Sequence, residues 1–363
     1  MNKKIIIAGG GTGGHIFPAI ATAQALSMLD KTISILFVGA KNKMEMEKVP
    51  QAGFKIEGLD IAGYNRSSLI KNISVPFKLI KSFLQAYQII KKFSPHVVVG
   101  VGGYASFPML WLAQLKNIPT ILLEQNSVAG KANRMLGKRA NAICVAYEGM
   151  NKYFVDKKII FTGNPVRHSI SLSAISRLDA LKFFELDENK KTILVIGGSQ
   201  GAHSINEAVN KNLNVLLQEE IQLIWQTGNL YLSKAKASAN GKKEIFVSEF
   251  ITNMENAYAA ADVVVSRAGA IAISELCVVK KPVIFVPFPL AAEDHQTANA
   301  LQLVSKNAAL IINDNEVNQK LVSTAVTLIN NEEKQNELIK NIERMAIINA
   351  DEIIANEILK LIK

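Results

Sequence analysis

The sequence predicts an α/β protein built from two doubly wound parallel sheets. Its 363 residues are enough for two separate cores, and short apolar segments alternate with helical patterns along the chain. Two of these segments run directly into glycine clusters, at 9–14 and at 197–201. An apolar strand followed by glycines and a helix is typical of a βα turn in a parallel sheet. Two such turns in half-chains of similar size predict two Rossmann-like domains facing each other across a cleft.

The predicted strands are short runs rich in Ile, Val and Leu, as expected where helices cover both faces of a sheet. They span 3–8, 33–38, 96–101, 119–124, 142–145 and 159–162 in the first half, and 192–197, 221–226, 244–247, 262–266, 283–286 and 309–312 in the second.

The domain boundary is predicted at a Gly-Asn-Pro segment, which separates domain 1–164 from domain 165–342. The end of the chain, from about 334 to 363, contains no Gly or Pro and is predicted to be helical. We expect its last part, about 343–363, to pack back on the first domain.

Composition excludes several classes of protein. A chain with 49% hydrophobic and 20% charged residues is globular rather than disordered. No segment approaches the roughly 18 apolar residues of a membrane span, and the apolar run after Lys4 is too short for a signal peptide. The two cysteines, Cys144 and Cys277, lie in apolar surroundings and indicate core thiols of a reducing compartment. Without CxxC or HExxH motifs, we expect no metal site.

Positive charge is concentrated in the first half of the chain. Residues 1–165 contain 21 Lys and Arg against 8 Asp and Glu, and no acidic residue occurs between Asp60 and Glu124. The segment 66–93 interleaves these basic residues with large apolar ones. This pattern fits an anionic membrane surface or helices whose apolar residues face the core. A nucleic-acid face is the third reading, but no nucleic-acid motif accompanies it.

The first glycine loop, GGGTGGH at 9–15, suits an anionic ligand. Glycines let backbone N–H groups approach closely, and the following helix adds its positive end. The second strand ends in Gly39-Ala40 instead of the acidic residue of dinucleotide sites, and no Walker A lysine follows. At a helix start the dipole disfavours the imidazolium of His15, so a neutral general base is one reading. A capping or phosphate-contacting role is the other.

Other segments carry polar or glycine residues at predicted strand ends. Gly102 and Gly103 follow the strand 96–101, Glu124 ends an apolar run, and the segment 267–270 leads into a helix that carries Glu275. Bare N–H groups at that helix start fit phosphate, and Glu275 could accept hydrogen bonds from two ribose hydroxyls. An ordinary helical glutamate is the alternative.

The ordered set of motifs resembles one family. GGTGGH, GGY-x-S, EQN, GNPVR, GGSQGA, EFI, SRAGA-x-x-x-SE and VPFP…DHQ-x-x-NA follow one another over nearly the whole chain. The set is similar to that of the MurG family, the bacterial peptidoglycan N-acetylglucosaminyltransferases of glycosyltransferase family 28. The resemblance implies the GT-B fold.

The activity implied by the resemblance is an inverting transfer of GlcNAc from UDP-GlcNAc to the C4 hydroxyl of MurNAc. The acceptor is undecaprenyl-pyrophosphoryl-MurNAc-pentapeptide, or lipid I, and the product is lipid II. No cofactor and no metal are implied. Such an enzyme serves cell-wall growth, cell shape and cell division.

The resemblance also implies the site residues, each at its matched motif position. The base is His15 or Glu124, and the motifs do not decide between them. The acceptor pyrophosphate is expected on His15, Gly102, Gly103 and Tyr104. The donor set is Thr12, Gly13, Gly14, Asn126, Arg167, Ser199, Gln200, Ile251, Gly269, Ala270, Glu275 and Gln296.

Within that donor set, the resemblance gives each segment a role. Ser199 and Gln200 lie near the diphosphate, Ile251 flanks the uracil, Glu275 binds the ribose, and Gln296 meets the GlcNAc hydroxyls. The chain departs from the family's common pattern in two places. Leu123 replaces a common histidine, and Ala272 replaces a common hydroxyl residue.

The resemblance implies partners and a location as well. The basic and apolar stretch 66–93 is expected to meet the anionic inner leaflet, so that the protein is peripheral on the cytoplasmic face of the cell membrane. UDP-GlcNAc, lipid I and other cell-wall synthesis proteins are the implied partners, and no nucleic acid is expected. The competing functions are a GT-B enzyme with another lipid acceptor, a sugar-nucleotide 2-epimerase, a membrane scaffold and a dehydrogenase.

Overall fold

The computed structural model of the protein describes residues 3–61, 75–198 and 200–362. Its internal contacts divide the chain into two units. Unit 1 comprises Met1–Arg167 together with Asn349–Lys363, and unit 2 comprises His168–Ile348.

Unit 1 is built on a seven-stranded parallel sheet within its described residues, in the order β3-β2-β1-β4-β5-β6-β7. Its strands are β1 (Lys4–Ala8), β2 (Ser34–Ala40), β3 (Lys55–Leu59), β4 (Val97–Gly100), β5 (Thr120–Glu124), β6 (Ala142–Val145) and β7 (Ile159–Phe161). Its first helices are α1 (Gly13–Leu29), α2 (Glu45–Gln51), α3 (Val75–Phe93), α4 (Ser106–Leu115) and α5 (Lys131–Gly137), with short 3-10 helices at Met150–Lys152 and Asp156–Lys158.

Unit 2 is built on a six-stranded parallel sheet, again counted over described residues, in the order β10-β9-β8-β11-β12-β13. The strands are β8 (Thr192–Ile196), β9 (Gln222–Gln226), β10 (Ile245–Ser248), β11 (Val263–Ser266), β12 (Val283–Phe285) and β13 (Leu310–Ile311).

Helices of unit 2 precede the first of these strands, connect the strands and follow the last of them. They are α6 (His168–Ser171), α7 (Arg177–Phe183), α8 (His203–Lys211), α9 (Leu213–Gln218), α10 (Asn229–Ala239), α11 (Met254–Ala260), α12 (Ala270–Val279), α13 (His295–Val304), α14 (Val317–Ile329) and α15 (Glu332–Glu343), with 3-10 helices at Ala292–Asp294 and Asp314–Glu316. The last helix, α16 (Ala350–Lys360), belongs to unit 1.

Continuous apolar strands form because both faces of the unit 1 sheet are covered. In β1, Ile5 and Ile7 lie in one buried cluster, whereas Ile6 and Ala8 lie in another on the opposite face. Alternating residues of a strand point to opposite faces, so a strand buried on both sides must be apolar throughout. The two-sheet α/β prediction is therefore confirmed, and each of the twelve predicted strands forms.

One strand was not predicted. β3 has the sequence KIEGL, which carries two charged residues and a glycine, so it lacks a continuous apolar run. Among the residues that the structure describes, β3 pairs with β2 alone, at the edge of the sheet. An edge strand is less completely buried than a central one and tolerates polar residues, which explains why the pattern failed there.

The end of the chain is helical, as predicted for about 334–363, but it forms two helices. The helical conformation is interrupted at 344–349, between α15 and α16. Leu338 of α15 lies in the core of unit 2, whereas Ile354 and Ile358 of α16 lie in the core of unit 1, where α16 packs on α1. Each helix buries its apolar face in a different core, and the break lets the chain pass from one unit to the other.

Both cysteines are buried and unpaired thiols, as the apolar surroundings predicted. Burial raises the pKa of Cys144 and of Cys277 to about 12, because a buried thiolate loses its hydration. Both thiols are therefore protonated at neutral pH and pack as small apolar groups.

We predict that Ile354→Ala destabilises unit 1, because it leaves a cavity where α16 meets α1. The expected cost is about 2–5 kcal/mol. Hydrogen exchange measured by mass spectrometry, peptide by peptide, should show faster exchange in β1 and α1 but not in β8. Asn356→Ala, at an exposed position of the same helix, is the matched control. Unchanged protection of β1 and α1 in Ile354→Ala would contradict this packing.

Candidate functional site

Each unit presents its glycine-rich loops at the point where its strand order reverses. In unit 1, β1 lies between β2 and β4, and in unit 2, β8 lies between β9 and β11. The loops after β1, β4, β8 and β11 therefore leave the carboxyl ends of adjacent strands on opposite sides of the sheet. This topological switch point is where open α/β sheets bind ligands.

The loops after β1 and β4 pack backbone against backbone. The N–H of Gly10 donates to the carbonyl oxygen of Gly102 over 3.1 Å. A Cβ at Gly103, where φ is +81°, would lie 2.2 Å from the carbonyl oxygen of Gly10, and a Cβ at Gly9 would lie 2.2 Å from that of Gly102. Contacts this close exclude any side chain, so the glycines are required by space as well as by conformation.

His15 stands in the first turn of α1, as the sequence predicted. Its backbone N–H donates to Thr12 over 3.1 Å, and its Nδ1 lies 3.2 Å from the carbonyl oxygen of Gly10 and 3.3 Å from the Thr12 hydroxyl. The imidazole covers Gly102, where a Cβ would lie only 2.8 Å from Nε2 of the histidine. The ring is thus held between the two loops. Gly13 and Gly14 begin α1 beside it, where the first N–H groups have no intrahelical acceptor.

Glu45 is a site residue that sequence reasoning missed. Its carboxyl group is buried and accepts hydrogen bonds from the N–H of Gly11 and the N–H of Ala40, each over 2.9 Å. It therefore ties the glycine loop to the end of β2. The available signal was Gly39, a glycine inside a strand, because a Cβ there would lie 2.4 Å from the Glu45 side chain.

Of the EQN segment, Asn126 alone is partly exposed. One carboxyl oxygen of Glu124 accepts from the N–H of Asn126 over 3.2 Å, and the other accepts from the N–H of Gly130 over 3.0 Å and from the Asn133 amide over 2.9 Å. Burial raises the pKa of Glu124, and these donors oppose that shift only in part. The carboxyl group thus holds its own loop together. Gln125 likewise turns inward and donates to Val101.

The remaining predicted residues of unit 1 lie on the same edge. Tyr104 is exposed after the second loop, and the guanidinium of Arg167 lies 5.4 Å from the ring centroid of Phe17 in α1. Leu123, which replaces the family's common histidine, is buried in an apolar cluster of the sheet.

In unit 2, the loop after β8 is fixed by a second buried polar side chain that the sequence did not reveal. Gln226, at the end of β9, donates to the carbonyl oxygen of Gly198 over 3.0 Å and accepts from the N–H of Ile251 over 2.9 Å. It therefore links two of the predicted donor segments. Gln200 is exposed in this loop, and Ser199 lies outside the described residues.

Arg267 organises the neighbouring loop ends. Its guanidinium donates to the carbonyl oxygens of Val286 and Pro287, each over 3.1 Å, to Asp314 over 2.5 Å, and to the hydroxyl of Ser204 over 3.0 Å. The planar guanidinium has enough donors to join several acceptors at once. The ends of β11 and β12 and the start of α8 are thereby fixed relative to one another.

Glu275 is buried on α12 and accepts from the hydroxyl of Tyr258 over 3.0 Å. Gly269 caps that helix, and a Cβ built on it would meet no atom within 4 Å. The start of α12 is therefore open to a ligand. Ala272, where the family commonly has a hydroxyl, lies on the same helix and is partly buried.

Gln296 lies in the first turn of α13 and holds the segment after β12. Its carbonyl oxygen accepts from the N–H of Phe288 over 2.9 Å, so its amide nitrogen remains the group that donates. The intervening Glu293 and Asp294 both adopt positive φ, 55° and 51°. A left-handed backbone is uncommon for residues other than Gly, and two in succession mark a strained turn next to the site.

A separate surface feature is the apolar stripe of α3, formed by Phe77, Ile80, Leu84 and Tyr87. Their spacing puts them on one face of the helix, and all four are exposed. Ala86, Ile89 and Ile90 of the same helix are buried in the core. The interpretation that the apolar residues of this segment face the core therefore holds for one face of α3, and the apolar residues of the stripe remain exposed. The predicted surface residues 66–74 lie outside the described residues.

Lysines border the apolar stripe. Lys78 is exposed beside Phe77, Lys81 pairs with Asp60 over 2.8 Å, and the Lys116 ammonium lies 4.7 Å from the Tyr87 ring centroid. Over the part of the chain that the structure describes, none of the helices has the length and apolar character needed to cross a membrane.

Family models and known proteins match the chain along its length. The glycosyltransferase family 28 N-terminal domain matches residues 5–145, and the C-terminal domain matches residues 192–353. A Phocaeicola vulgatus protein named UDP-N-acetylglucosamine--N-acetylmuramyl-(pentapeptide) pyrophosphoryl-undecaprenol N-acetylglucosamine transferase is 50% identical over 363 residues, covering 99% of this chain and 96% of the relative.

Solved structures agree with this match. Acinetobacter baumannii MurG is 28% identical with a TM-score of 0.77, and the similarity covers 99% of each chain. Neisseria meningitidis UDP-GlcNAc 2-epimerase, bound to UDP-GlcNAc, has a TM-score of 0.69 at 15% identity, covering 98% of this chain and 100% of that one. The second likeness shows the fold alone.

We predict that Gly103→Ala destabilises unit 1 more than Gly149→Ala does. Both glycines have positive φ, +81° and +73°, but a Cβ at Gly149 would meet no atom within 4 Å. Gly149→Ala should therefore cost only the conformational penalty, about 1–2 kcal/mol. Gly103→Ala must also push the two loops apart. Denaturant unfolding measures the difference, and equal costs would show that the loops are not closely packed.

Proposed function

The chain belongs to glycosyltransferase family 28, and on that basis we propose that it transfers GlcNAc from UDP-GlcNAc to lipid I to form lipid II. The observation that carries this proposal is the full-length match to a relative named for that transferase. An enzyme with one donor and one acceptor needs two binding sites, and the fold offers the carboxyl edges of two sheets. The 2-epimerase of known structure has the same fold but is 15% identical to this chain, against 50% for the relative named as the transferase.

We assign the donor nucleotide chiefly to unit 2. We place the diphosphate at the loop that contains Ser199 and Gln200 and at the start of α12, at Gly269 and Ala270. A Cβ on Gly269 would meet no atom within 4 Å there, and the first N–H groups of a helix have no intrahelical acceptor. The uracil lies against Ile251. The buried Glu275 accepts from the ribose hydroxyls.

The remaining donor contacts follow from the matched motif positions. Gln296 donates through its amide nitrogen to the GlcNAc hydroxyls, since its carbonyl oxygen is engaged by Phe288. Thr12, Gly13 and Gly14, with Asn126 and Arg167, complete the donor set from unit 1. The pyrophosphate of lipid I lies on the paired loops of unit 1, at His15, Gly102, Gly103 and Tyr104.

The proposed chemistry is a single inverting displacement. The C4 oxygen of MurNAc bonds to the anomeric carbon of GlcNAc as the bond from that carbon to the UDP phosphate oxygen breaks. The hydroxyl proton passes to a general base. The negative charge that develops on the diphosphate is stabilised by backbone N–H groups and by the positive end of α12.

We infer that His15, and not Glu124, is this base. Both carboxyl oxygens of Glu124 already accept hydrogen bonds from its own loop, and the group is buried. With both oxygens engaged in this way, the carboxyl group has no exposed oxygen directed at an acceptor hydroxyl. His15 is partly exposed at the loop assigned to the acceptor. Glu124 is then the residue that shapes the loop presenting Asn126.

The experiment that tests the proposal is transfer of label from UDP-[14C]GlcNAc to a short-chain lipid I analogue in the presence of EDTA. A labelled disaccharide lipid would establish the donor, the acceptor and metal independence together. If the protein binds UDP-GlcNAc by calorimetry but forms no product, the acceptor assignment is wrong. If it converts UDP-GlcNAc without acceptor to UDP-ManNAc, or to ManNAc and UDP with water, it is an epimerase.

We predict that His15→Ala lowers turnover strongly and leaves UDP binding nearly intact. Loss of a general base typically costs about 10²- to 10⁴-fold, whereas the nucleotide is assigned mainly to unit 2. Steady-state kinetics with both substrates and calorimetry with UDP measure the two effects. Normal turnover in this variant would rule out His15 as the base.

We also propose that the apolar stripe of α3 and its bordering lysines bind the anionic inner leaflet, which makes the protein peripheral on the cytoplasmic face of the membrane. Large exposed apolar side chains flanked by lysines enter the headgroup region and attract anionic lipid. The C4 hydroxyl of lipid I lies at such a surface because its undecaprenyl chain is embedded in the bilayer.

We predict that the double variant Ile80→Asn/Leu84→Asn binds vesicles of phosphatidylglycerol and phosphatidylcholine at least about 10-fold more weakly than the wild type. Wild-type binding should also weaken as salt is raised. Leu230→Asn is the matched control, since Leu230 is an exposed leucine of unit 2. Sedimentation with vesicles measures binding, and an unchanged affinity of the double variant would exclude this surface.

A further inference from the structure

Glu45 and His15 contact the two ends of one peptide group. The N–H of the Gly10–Gly11 peptide belongs to Gly11 and donates to Glu45 Oε2 over 2.9 Å. The carbonyl oxygen of the same peptide belongs to Gly10 and lies 3.2 Å from Nδ1 of His15. Because a peptide group is planar and rigid, the position of the carboxyl group fixes the direction in which that carbonyl oxygen points.

The Glu45 carboxyl group is buried in a space that two glycines leave open. The side chain is 2% exposed, and its other oxygen accepts from the N–H of Ala40 over 2.9 Å. A Cβ at Gly10 would lie 2.5 Å from the carboxyl carbon, and a Cβ at Gly39 would lie 2.4 Å from Cγ. Gly39 has no positive φ, so glycine is needed there for the space that Glu45 occupies.

The contact with Gly10 favours one position for the proton of His15. A carbonyl oxygen only accepts hydrogen bonds, so a hydrogen bond to Gly10 places the proton on Nδ1 and leaves the lone pair on Nε2. The hydroxyl of Thr12, 3.3 Å from Nδ1, can instead donate and favour the other tautomer. Glu45 strengthens the first arrangement, because a peptide whose N–H is bonded to a carboxylate is a better acceptor at its carbonyl oxygen.

We propose that Glu45 is a positioning residue for the transfer reaction and acts through the Gly10–Gly11 peptide to keep His15 in the tautomer whose Nε2 accepts a proton. This inference rests on the proposed function, in which His15 is the base. Glu45 itself touches no substrate. In a Ser-His-Asp triad, a carboxylate orients the catalytic histidine by direct contact. Here one peptide group lies between the carboxylate and the histidine.

The test is the variant Glu45→Gln, which keeps the shape of the side chain but has one acceptor oxygen. Either the N–H of Gly11 or the N–H of Ala40 then faces an NH₂ group. The variant therefore loses either the hydrogen bond to the Gly10–Gly11 peptide or the hydrogen bond that holds the side chain on β2. Long-range proton–nitrogen correlation spectra of protein labelled with ¹⁵N-histidine report the tautomer directly. Spectra taken at about pH 8 show neutral imidazoles, and the loss of one signal in His15→Asn identifies His15 among the five histidines.

In the wild type we expect the Nδ1–H tautomer at His15. In Glu45→Gln we expect loss of that tautomer and a fall in kcat of at least about 10-fold, with KM for UDP-GlcNAc changed less than about 2-fold. Glu47→Gln, at an exposed position of the same helix, is the control that should change neither. UDP binding by calorimetry and the thermal unfolding midpoint show that Glu45→Gln remains folded.

Three results would overturn the inference, and the first two concern the tautomer and the folded state. One is an unchanged His15 tautomer in folded Glu45→Gln, and the other is a fall in turnover that only follows loss of folded protein. The spectra do not require activity, so the relay is tested even if the proposed transfer fails. If the tautomer shifts but kcat does not fall, Glu45 sets the proton on His15 without affecting the reaction, and the positioning role is wrong.

Discussion

The close approach of glycine loops at the carboxyl edge of each sheet is the constraint on which the proposed ligand sites depend. In unit 1, backbone meets backbone between Gly10 and Gly102. In unit 2, a Cβ at Gly201 would lie 1.9 Å from the carbonyl oxygen of Thr227, and one at Gly228 would lie 2.2 Å from that of Gln200. These contacts set the N–H groups of each loop at fixed positions, as anion binding without a metal would require.

Buried polar side chains hydrogen-bond to loops at the carboxyl edges of both sheets. Glu45 binds the loop after β1, Glu124 binds the loop after β5, and Gln226 joins the loop after β8 to Ile251. Each buried side chain satisfies its own polar atoms on backbone N–H or carbonyl groups of the loop that it holds. The consequence is that the buried carboxyl groups of Glu45 and Glu124 support the backbone, while the partly exposed side chains of His15 and Asn126 remain accessible beside the loops.

The sequence predicted much of this arrangement, because its strongest signals are local. Apolar runs and the glycines that follow them predicted both sheets and the loops at their edges. The buried supports could not be predicted in the same way. Glu45 lies 34 residues from Gly11, Gln226 lies 25 residues from Ile251, and Arg267 lies 47 residues from Asp314, so each contact depends on which strands become neighbours. β3 was missed because an edge strand lacks the continuous apolar run.

A crystal structure of the protein with UDP would show which unit holds the donor, since donor and acceptor are assigned to different units. We expect uracil against Ile251, ribose hydroxyls on Glu275, and the diphosphate between the loop after β8 and the start of α12. The hydrogen bond between Tyr258 and Glu275 should persist. UDP bound on the GGGTGGH loop of unit 1, with Glu275 uncontacted, would contradict the assignment of the donor to unit 2.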